Sequence, residues 1–364
     1  MRIISWRWRA GVQPAWSLDP FSYCCKAEWG AFRSGFQENT LRPRSYLLYT
    51  DWRTGLVLLA LLFAGWPSTL SAQQPKMEMV KIAENVYTMV DVSGGGTSNS
   101  TFIVTSEGVV VFDHYVIHSY QTLAAIRKLT DKKIVYLFSS HAAGDHSTGA
   151  WYFREDKPVY IATKNQLPSL LAEGLPLFKE RAASSDPRYA IYRGKELVLP
   201  DILIAQSMTL RLGGLTFEAT FEGFGHSPGD LTLYIPQKRV FLMGDLLNND
   251  MHAGGGQVVP GEGSNPKGWI EVLDHIIARR LPVDTYVPGH GPVHIGRGVK
   301  DVEEARNYFV IMRDAVAKMM AEGKTLEQIQ KEFQVPAEFS RYSRRERLES
   351  TLPLYYYELL GVSK

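Results

Sequence analysis

The chain has 364 residues, enough for one large domain or two small ones, and its 45% hydrophobic content is ordinary for a globular core. The net charge is only +2, with no basic stripe and no helix-turn-helix or RNA-binding pattern. Nucleic acid is thereby excluded as the expected partner, and a small-molecule substrate is expected instead. The small charge hides a division. Residues 1–72 carry eight Lys or Arg against four Asp or Glu, leaving 32 of the 40 basic and 34 of the 38 acidic residues to the rest.

In chain order, residues 1–54 hold five of the eight tryptophans and both cysteines, Cys24 and Cys25. They show no clear period and predict no packed domain. Residues 56–66 are an unbroken apolar run of 11 residues, shorter than the ~20 needed to span a bilayer. Arg53 precedes the run and Ser71-Ala72 follows it, so residues 55–72 read as a signal peptide, or as an uncleaved anchor that would be the chain's one tie to a membrane. The expected address is periplasmic or secreted; the alternative is a cytoplasmic protein starting at Met77. The lead is far longer than a signal peptide needs, so residues 1 to about 45 are expected to lie ahead of the true start. N-terminal sequencing of the exported protein tests this, and a mature end within residues 1–40 refutes it. The remainder has no cysteine, hence no disulfide and no thiolate ligand.

Residues 80–92 and 100–113 read as strands, separated by the glycine-rich stretch 93–97. Residues 119–129 predict a helix with Ser119 as N-cap and Tyr120, Leu123 and Ile126 on its inner face. The apolar run 134–138 predicts a buried strand. Residues 148–153 then predict a helix and 158–163 a strand. The proline-punctuated stretch 164–200 mixes helix-like and loop pieces, and its Phe178, Tyr189 and Tyr192 are expected to form a local core rather than line a pocket. Strands follow at 208–212, 215–221, 231–235 and 240–243, with turns at Gly213-Gly214 and Gln237-Lys238. A glycine-rich loop over 248–266, a helix over 266–279 and a strand over 283–287 complete the body, residues 76–299. The C-terminal extension, 300–364, predicts an amphipathic helix over 301–322 with Ala305, Phe309, Met312, Val316 and Met319 in one stripe. Thr325 and Gln328 form a capping box for the next helix, and residues 354–357 are apolar enough to dock.

The chemistry concentrates just after the 134–138 strand, in Ser139-Ser140-His141-Ala142-Ala143-Gly144-Asp145-His146. Two imidazoles and a carboxylate within six residues suit a borderline metal such as zinc. Loops at the carboxyl ends of such strands are where α/β sheets keep their chemistry. Three further motifs follow: Gly225-His226-Ser227-Pro228-Gly229-Asp230, Phe241-Leu242-Met243-Gly244-Asp245 and Val287-Pro288-Gly289-His290-Gly291-Pro292. Upstream stands Gly108-Val109-Val110-Val111-Phe112-Asp113.

Together, over residues 80–295, these resemble the metal motifs of the metallo-β-lactamase-fold hydrolases. The resemblance implies an α/β fold: a four-layer αββα sandwich, here with extra C-terminal helices. It implies a complete metal site of Asp145, His146, Asp245 and His290. A second site is reduced to His141, His226 and a share of Asp245, because Ala143 stands where the family pattern has a histidine. The cofactor implied is Zn²⁺, one or two ions with the second weakly held. The activity implied is attack of metal-bound hydroxide on an ester, thioester or lactam carbonyl, with Asp145 both ligand and acceptor for the attacking water. The alternative is a degenerate member that binds metal or ligand without turnover; an iron oxidoreductase on the same scaffold ranks last. Asp113 is expected to orient a ligand, and Asp230 to cap the following strand. His114 and His252 are the candidates to replace the missing histidine, while His275 and His294 read as structural.

Overall fold

The computed structural model describes residues 74–254 and 264–362. The expected leader, both cysteines and positions 255–263 of the glycine-rich loop lie outside the described residues.

Two sheets organise the chain. The first has seven strands in sequential order: β1 (Met77–Ala83), β2 (Val86–Asp91), β3 (Ser100–Val104), β4 (Val109–Phe112), β5 (Ile134–Phe138), β6 (Val159–Thr163) and β7 (Ile202–Ile204). The pairs from β1 to β4 are antiparallel and those from β4 to β7 parallel. The second sheet runs β12 (Thr285–Val287), β11 (Val240–Leu242), β10 (Leu231–Ile235), β9 (Leu215–Phe221) and β8 (Ser207–Leu212). Only its β11–β12 pair is parallel.

The alternation of strand side chains fixes the layers. In β4, Val110 and Phe112 point into a core shared with Phe217, Leu233 and Leu242 of the second sheet. Val109 and Val111 point the other way, onto Ile126 of helix α1 (Ser119–Leu129) and Phe153. On the far side, Phe241 of β11 joins a core with Trp269 and Leu273 of α4 (Pro266–Ala278) and Phe309 and Met312 of α5 (Lys300–Ala321). The order is helix, sheet, sheet, helix, the sandwich the sequence predicts. Each buried Phe or Leu side chain is worth ~1.5–3 kcal/mol relative to exposure.

Several expectations need correction. Residues 80–92 are not one strand but the hairpin β1–β2, turning at Glu84-Asn85 with Asn85 in the left-handed region at φ 61. Residues 100–113 are likewise a hairpin, β3–β4, where the Thr105 hydroxyl accepts from the N–H groups of Glu107 and Gly108. In α1 the N-cap is His118 rather than Ser119, and no side chain caps it. Its inner face is Thr122, Ala125 and Ile126, while Tyr120 is exposed. In place of a helix over 148–153 stand the short α2 (Gly144–Ser147) and a 3₁₀ turn, Ala150–Asp156. The edge strand β7 has no counterpart in the sequence reading.

The 164–200 stretch contains a π turn (Leu170–Gly174) and α3 (Leu175–Ala183). Phe178 and Tyr192 meet edge to face at 5.1 Å inside a cluster with Val116 and Leu197. In the extension, α6 (Leu326–Glu332) opens with the Thr325/Gln328 capping box, and α7 (Leu348–Leu359) packs on α5. Among the described residues no helix is long and apolar enough to cross a membrane.

Candidate metal centre

Every predicted ligand sits at one edge of the sandwich, where the parallel strands end. His141 follows β5, and Asp145 and His146 lie in α2. His226 lies on the β9–β10 connection. Asp245 lies in the 3₁₀ turn Gly244–Leu246 after β11, and His290 follows β12.

The fold brings all six together. His146 Nε2 is 3.2 Å from Asp245 Oδ1, 3.6 Å from Asp145 Oδ2 and 3.3 Å from His290 Nε2. His290 Nε2 is 3.3 Å from Asp145 Oδ2 and 3.4 Å from Asp245 Oδ2. His226 Nε2 is 3.5 Å from Asp245 Oδ2. The His141 ring lies against His146 and His226, with centroids 4.2 and 4.5 Å apart. Two groups of donor atoms close enough to share one ion are His141/His146/Asp245 and Asp145/His146/His290.

Neighbouring groups fix the tautomers. His146 Nδ1 donates to Asp113 Oδ2 at 2.8 Å, and His290 Nδ1 donates to the Gly96 carbonyl at 2.9 Å. The Ser140 hydroxyl donates to Asp113 Oδ2 at 2.9 Å, so its oxygen accepts from His141 Nδ1 at 2.9 Å. In all three rings Nε2 is the nitrogen left to face the centre. Such carboxylate or carbonyl support is the usual way a protein orients a ligating imidazole. Asp113 carries this out from a left-handed backbone, φ 63, with Ser140 N–H on its other oxygen at 2.6 Å.

Burial opposes charge on each of these groups, and the mutual fields decide the outcome. Against burial, Asp245, Asp145 and Asp113 hold His146 well above the ordinary histidine range. Asp245 and Asp145 likewise bring His290 up to about 9. The same histidines overcome burial to hold Asp145 and Asp245 below the usual carboxylate range. Burial, with His146 and His226 beside it, keeps His141 well below its ordinary value and so neutral.

The residues fit a divalent cation. His141 Nε2 and Asp245 Oδ1 are buried and make no hydrogen bond among the described residues. His146 Nε2 and His290 Nε2 stand 3.3 Å apart, and a cation there would replace the protons that Asp145 and Asp245 otherwise hold on them. A cation between such groups satisfies what the protein leaves unpaired.

Position 143 is half-buried at the start of α2, and its carbonyl accepts from the N–H groups of His146 and Ser147 and from the Ser147 hydroxyl. Neither suggested replacement reaches the centre. The His114 ring packs edge-on against Tyr160 at 4.9 Å, and burial pulls its pKa to about 3. His252 Nδ1 pairs with the Tyr308 hydroxyl at 3.0 Å. Asp230 comes closer than sequence reasoning expects: its Oδ1 lies 3.6 Å from His226 Nδ1 while it accepts from Ser227 N–H and hydroxyl. His141, His226 and Asp230 form a third group of adjacent donors. The signal available in the sequence was only its spacing, four residues past His226. Gly289 makes room for the bridging aspartate, since a Cβ there would lie 2.1 Å from Asp245 Oδ1.

A cleft of about 480 Å³ opens onto Asp145 and His290, within the usual size range of small-molecule sites. The 93–97 loop forms part of its wall, held in shape by the Asp91 carboxylate, which accepts from Ser93 and Thr97 N–H.

The pattern of the family described as the metallo-beta-lactamase superfamily matches residues 93–290. The chain is similar to the metallo-beta-lactamase type 2 of Bacteroides fragilis, 21% identical over 252 residues that make up 66% of this chain and 90% of that one. It is also similar to the linear primary-alkylsulfatase of a Pseudomonas strain, 22% identical over 66% of this chain and 51% of that one. Among solved structures, the stereoselective inverting sec-alkylsulfatase of Pseudomonas sp. superposes with a TM-score of 0.61 at 18% identity, over 78% of this chain and 50% of that one. The chain thus spans about half the length of the alkylsulfatases it matches. The family pattern covers more than half of the chain and ends on the last of the clustered histidines, and the chain belongs to the metallo-β-lactamase superfamily of hydrolases.

Proposed function

We propose that the protein is a zinc-dependent hydrolase that opens an ester, thioester or lactam carbonyl in a small-molecule substrate. The observation that carries this reading is that His146 and His290 stand 3.3 Å apart and each lies 3.2–3.6 Å from a carboxylate oxygen of both Asp145 and Asp245. Four protein donors of N and O type match the chemistry of zinc. Bound there, the ion supplies Lewis acidity and acidifies water towards a pKa of ~7.

The chain's own residues do the rest. Asp145 is the ligand that faces the cleft: its side chain is 32% exposed against 10% for Asp245 and 4% for His290. Ionised and open to the cleft, it accepts a proton or hydrogen bond from a water attacking the substrate. The buried His146 and Asp245 hold geometry and exclude bulk water. His141 and His226, each with a buried nitrogen lacking a hydrogen-bond partner among the described residues, keep donors for a second, weaker ion or for substrate.

A second reading, cleavage of a sulfate ester, draws support from the similarity to a linear primary-alkylsulfatase. One experiment separates the two. The full chain is analysed for metal and assayed with p-nitrophenyl acetate, a thioester, a chromogenic cephalosporin and an alkyl sulfate. About one zinc per chain with carbonyl turnover, lost in Asp145→Asn, is expected. Turnover of the sulfate alone moves the assignment to the second reading. Zinc retained without turnover of any of the four leaves a binding protein.

A further inference from the structure

The metal cleft carries more positive charge than its ligands explain. Arg181 of α3 lines it, and so do Arg344 and Arg347 from the segment between α6 and α7. Arg347 lies beside the centre itself. Its Nη1 donates to the His252 carbonyl at 3.2 Å and to Asn248 Oδ1 at 3.4 Å, and Asn248 in turn donates to the Asp245 carbonyl at 2.9 Å.

These contacts are all to neutral groups. Among the described residues, Arg347 has no carboxylate at ion-pair distance, although burial and its neighbour Arg344 press against its charge. Arg181 likewise has no carboxylate at ion-pair distance among the described residues, only tyrosines. Its Nη1 donates to the Tyr192 hydroxyl at 3.0 Å, and its Nε is buried with no partner among the described residues. The other half-buried arginines among the described residues do have carboxylate partners. Arg279 pairs with Glu222, Arg306 with Asp274 and Arg313 with Glu358. Arg344 pairs with Glu346 and also donates to the Gly95 carbonyl. A desolvated cation without a counter-charge is unfavourable. Asp245 and Asp145 support the Arg347 charge only from beyond ion-pair distance, and a dication bound at the centre would take up that support. The planar guanidinium fork matches an oxyanion bidentately, better than it matches the neutral carbonyls it now has.

We propose that Arg347, with Arg181 in the same cleft, is a receptor for an oxyanion on the substrate, so that the hydrolase acts on small organic anions bearing a carboxylate or a sulfate. This rests on the cleft being the hydrolase site proposed above. Arg347 is here a binding residue contributed by the C-terminal extension.

The test uses the full, zinc-loaded chain, its Arg347→Gln, Arg347→Lys and Arg181→Gln variants, and two readouts. The first is calorimetric titration with sodium sulfate and with sodium butyrate. The second is the ratio of kcat/KM for an anionic substrate, p-nitrophenyl sulfate or a chromogenic cephalosporin, to that for neutral p-nitrophenyl acetate. Removal of one charge-assisted contact predicts a loss of about tenfold in probe affinity and in the ratio, chiefly through KM, with Arg347→Lys recovering part of it. Loss confined to sulfate identifies a sulfate-bearing substrate, and loss confined to butyrate a carboxylate. Arg181→Gln reads the same cleft from an element outside the extension, so a misfolded Arg347→Gln does not spoil the test. Unchanged probe affinity and unchanged ratio in both Gln variants overturn the proposal, as does a parent protein that binds neither probe. Probe binding that depends on Arg347 in a protein that turns over none of the substrates keeps the receptor and removes the hydrolase reading.

Discussion

Asp113 positions two of the clustered imidazoles without belonging to any group of donors that could share an ion. It holds His146 directly and His141 through the Ser140 hydroxyl. Asp113→Asn keeps the volume but disturbs the acceptor that both rings depend on. Zinc affinity is expected to fall ~10–100-fold, measured by competition with a chromophoric chelator; an unchanged affinity would show that the rings are held by packing alone. Ala143→His restores the imidazole absent from the family pattern. Metal content measured by plasma mass spectrometry is expected to rise from about one towards two ions per chain. A fixed content would mean that the Asp230 side of the pocket already settles the second site. The six residues that the fold clusters were legible in the sequence because each stands in a short motif near the end of a strand. Arg347 and Asp230 were not. An arginine in a charged C-terminal segment reads as solvated surface, and only the fold carries it to His252 and Asn248.

At the scale of elements, legibility followed the strength of the punctuation. α5, α6 and the β8–β9 hairpin carry a long apolar stripe, a capping box and a Gly-Gly turn, and all three stand where the residues put them. The β1–β2 and β3–β4 turns have no Asn-Gly or Pro to mark them; one uses Asn85 in a left-handed conformation and the other a threonine hydroxyl. Runs of apolar residues on either side then read as single strands. β7 is only three residues long and lies at the sheet edge, too short to show a period. The extension matters to the centre through Trp269, whose ring lies 4.2 Å from Phe309 of α5 and 5.3 Å from His226. Phe309→Ala is expected to cost ~3–5 kcal/mol in urea unfolding, and to loosen His226 so that metal dissociates faster. A loss below about 1 kcal/mol would show that α5 is only laid against the body.

For the molecule as a whole, buried neutral histidines set the acid limit. Burial holds His114 at about 3 and both His118 and His252 at about 4, all below the unfolded value of ~6.5. The unfolded chain therefore takes up protons that the folded chain refuses. The stability these groups contribute is complete above pH ~6.5 and is lost as pH falls towards 4 and 3. Melting temperature is expected to drop steeply over that interval. Replacing His114, which the centre does not use, by Gln is expected to flatten the drop; an equally steep fall in that variant would place the acid sensitivity in the metal ligands.

Gly289 sets a rule for reading other sequences. Any side chain at that place meets both the Asp245 carboxylate and the backbone of Gly244, so the turn that carries the aspartate has to move. A chain that keeps every histidine of the pattern but has lost this glycine has therefore displaced the carboxylate between them too. Counting imidazoles alone would misjudge it, and the smallest residue in the final motif reports on the pocket as faithfully as the ones that grip the ion.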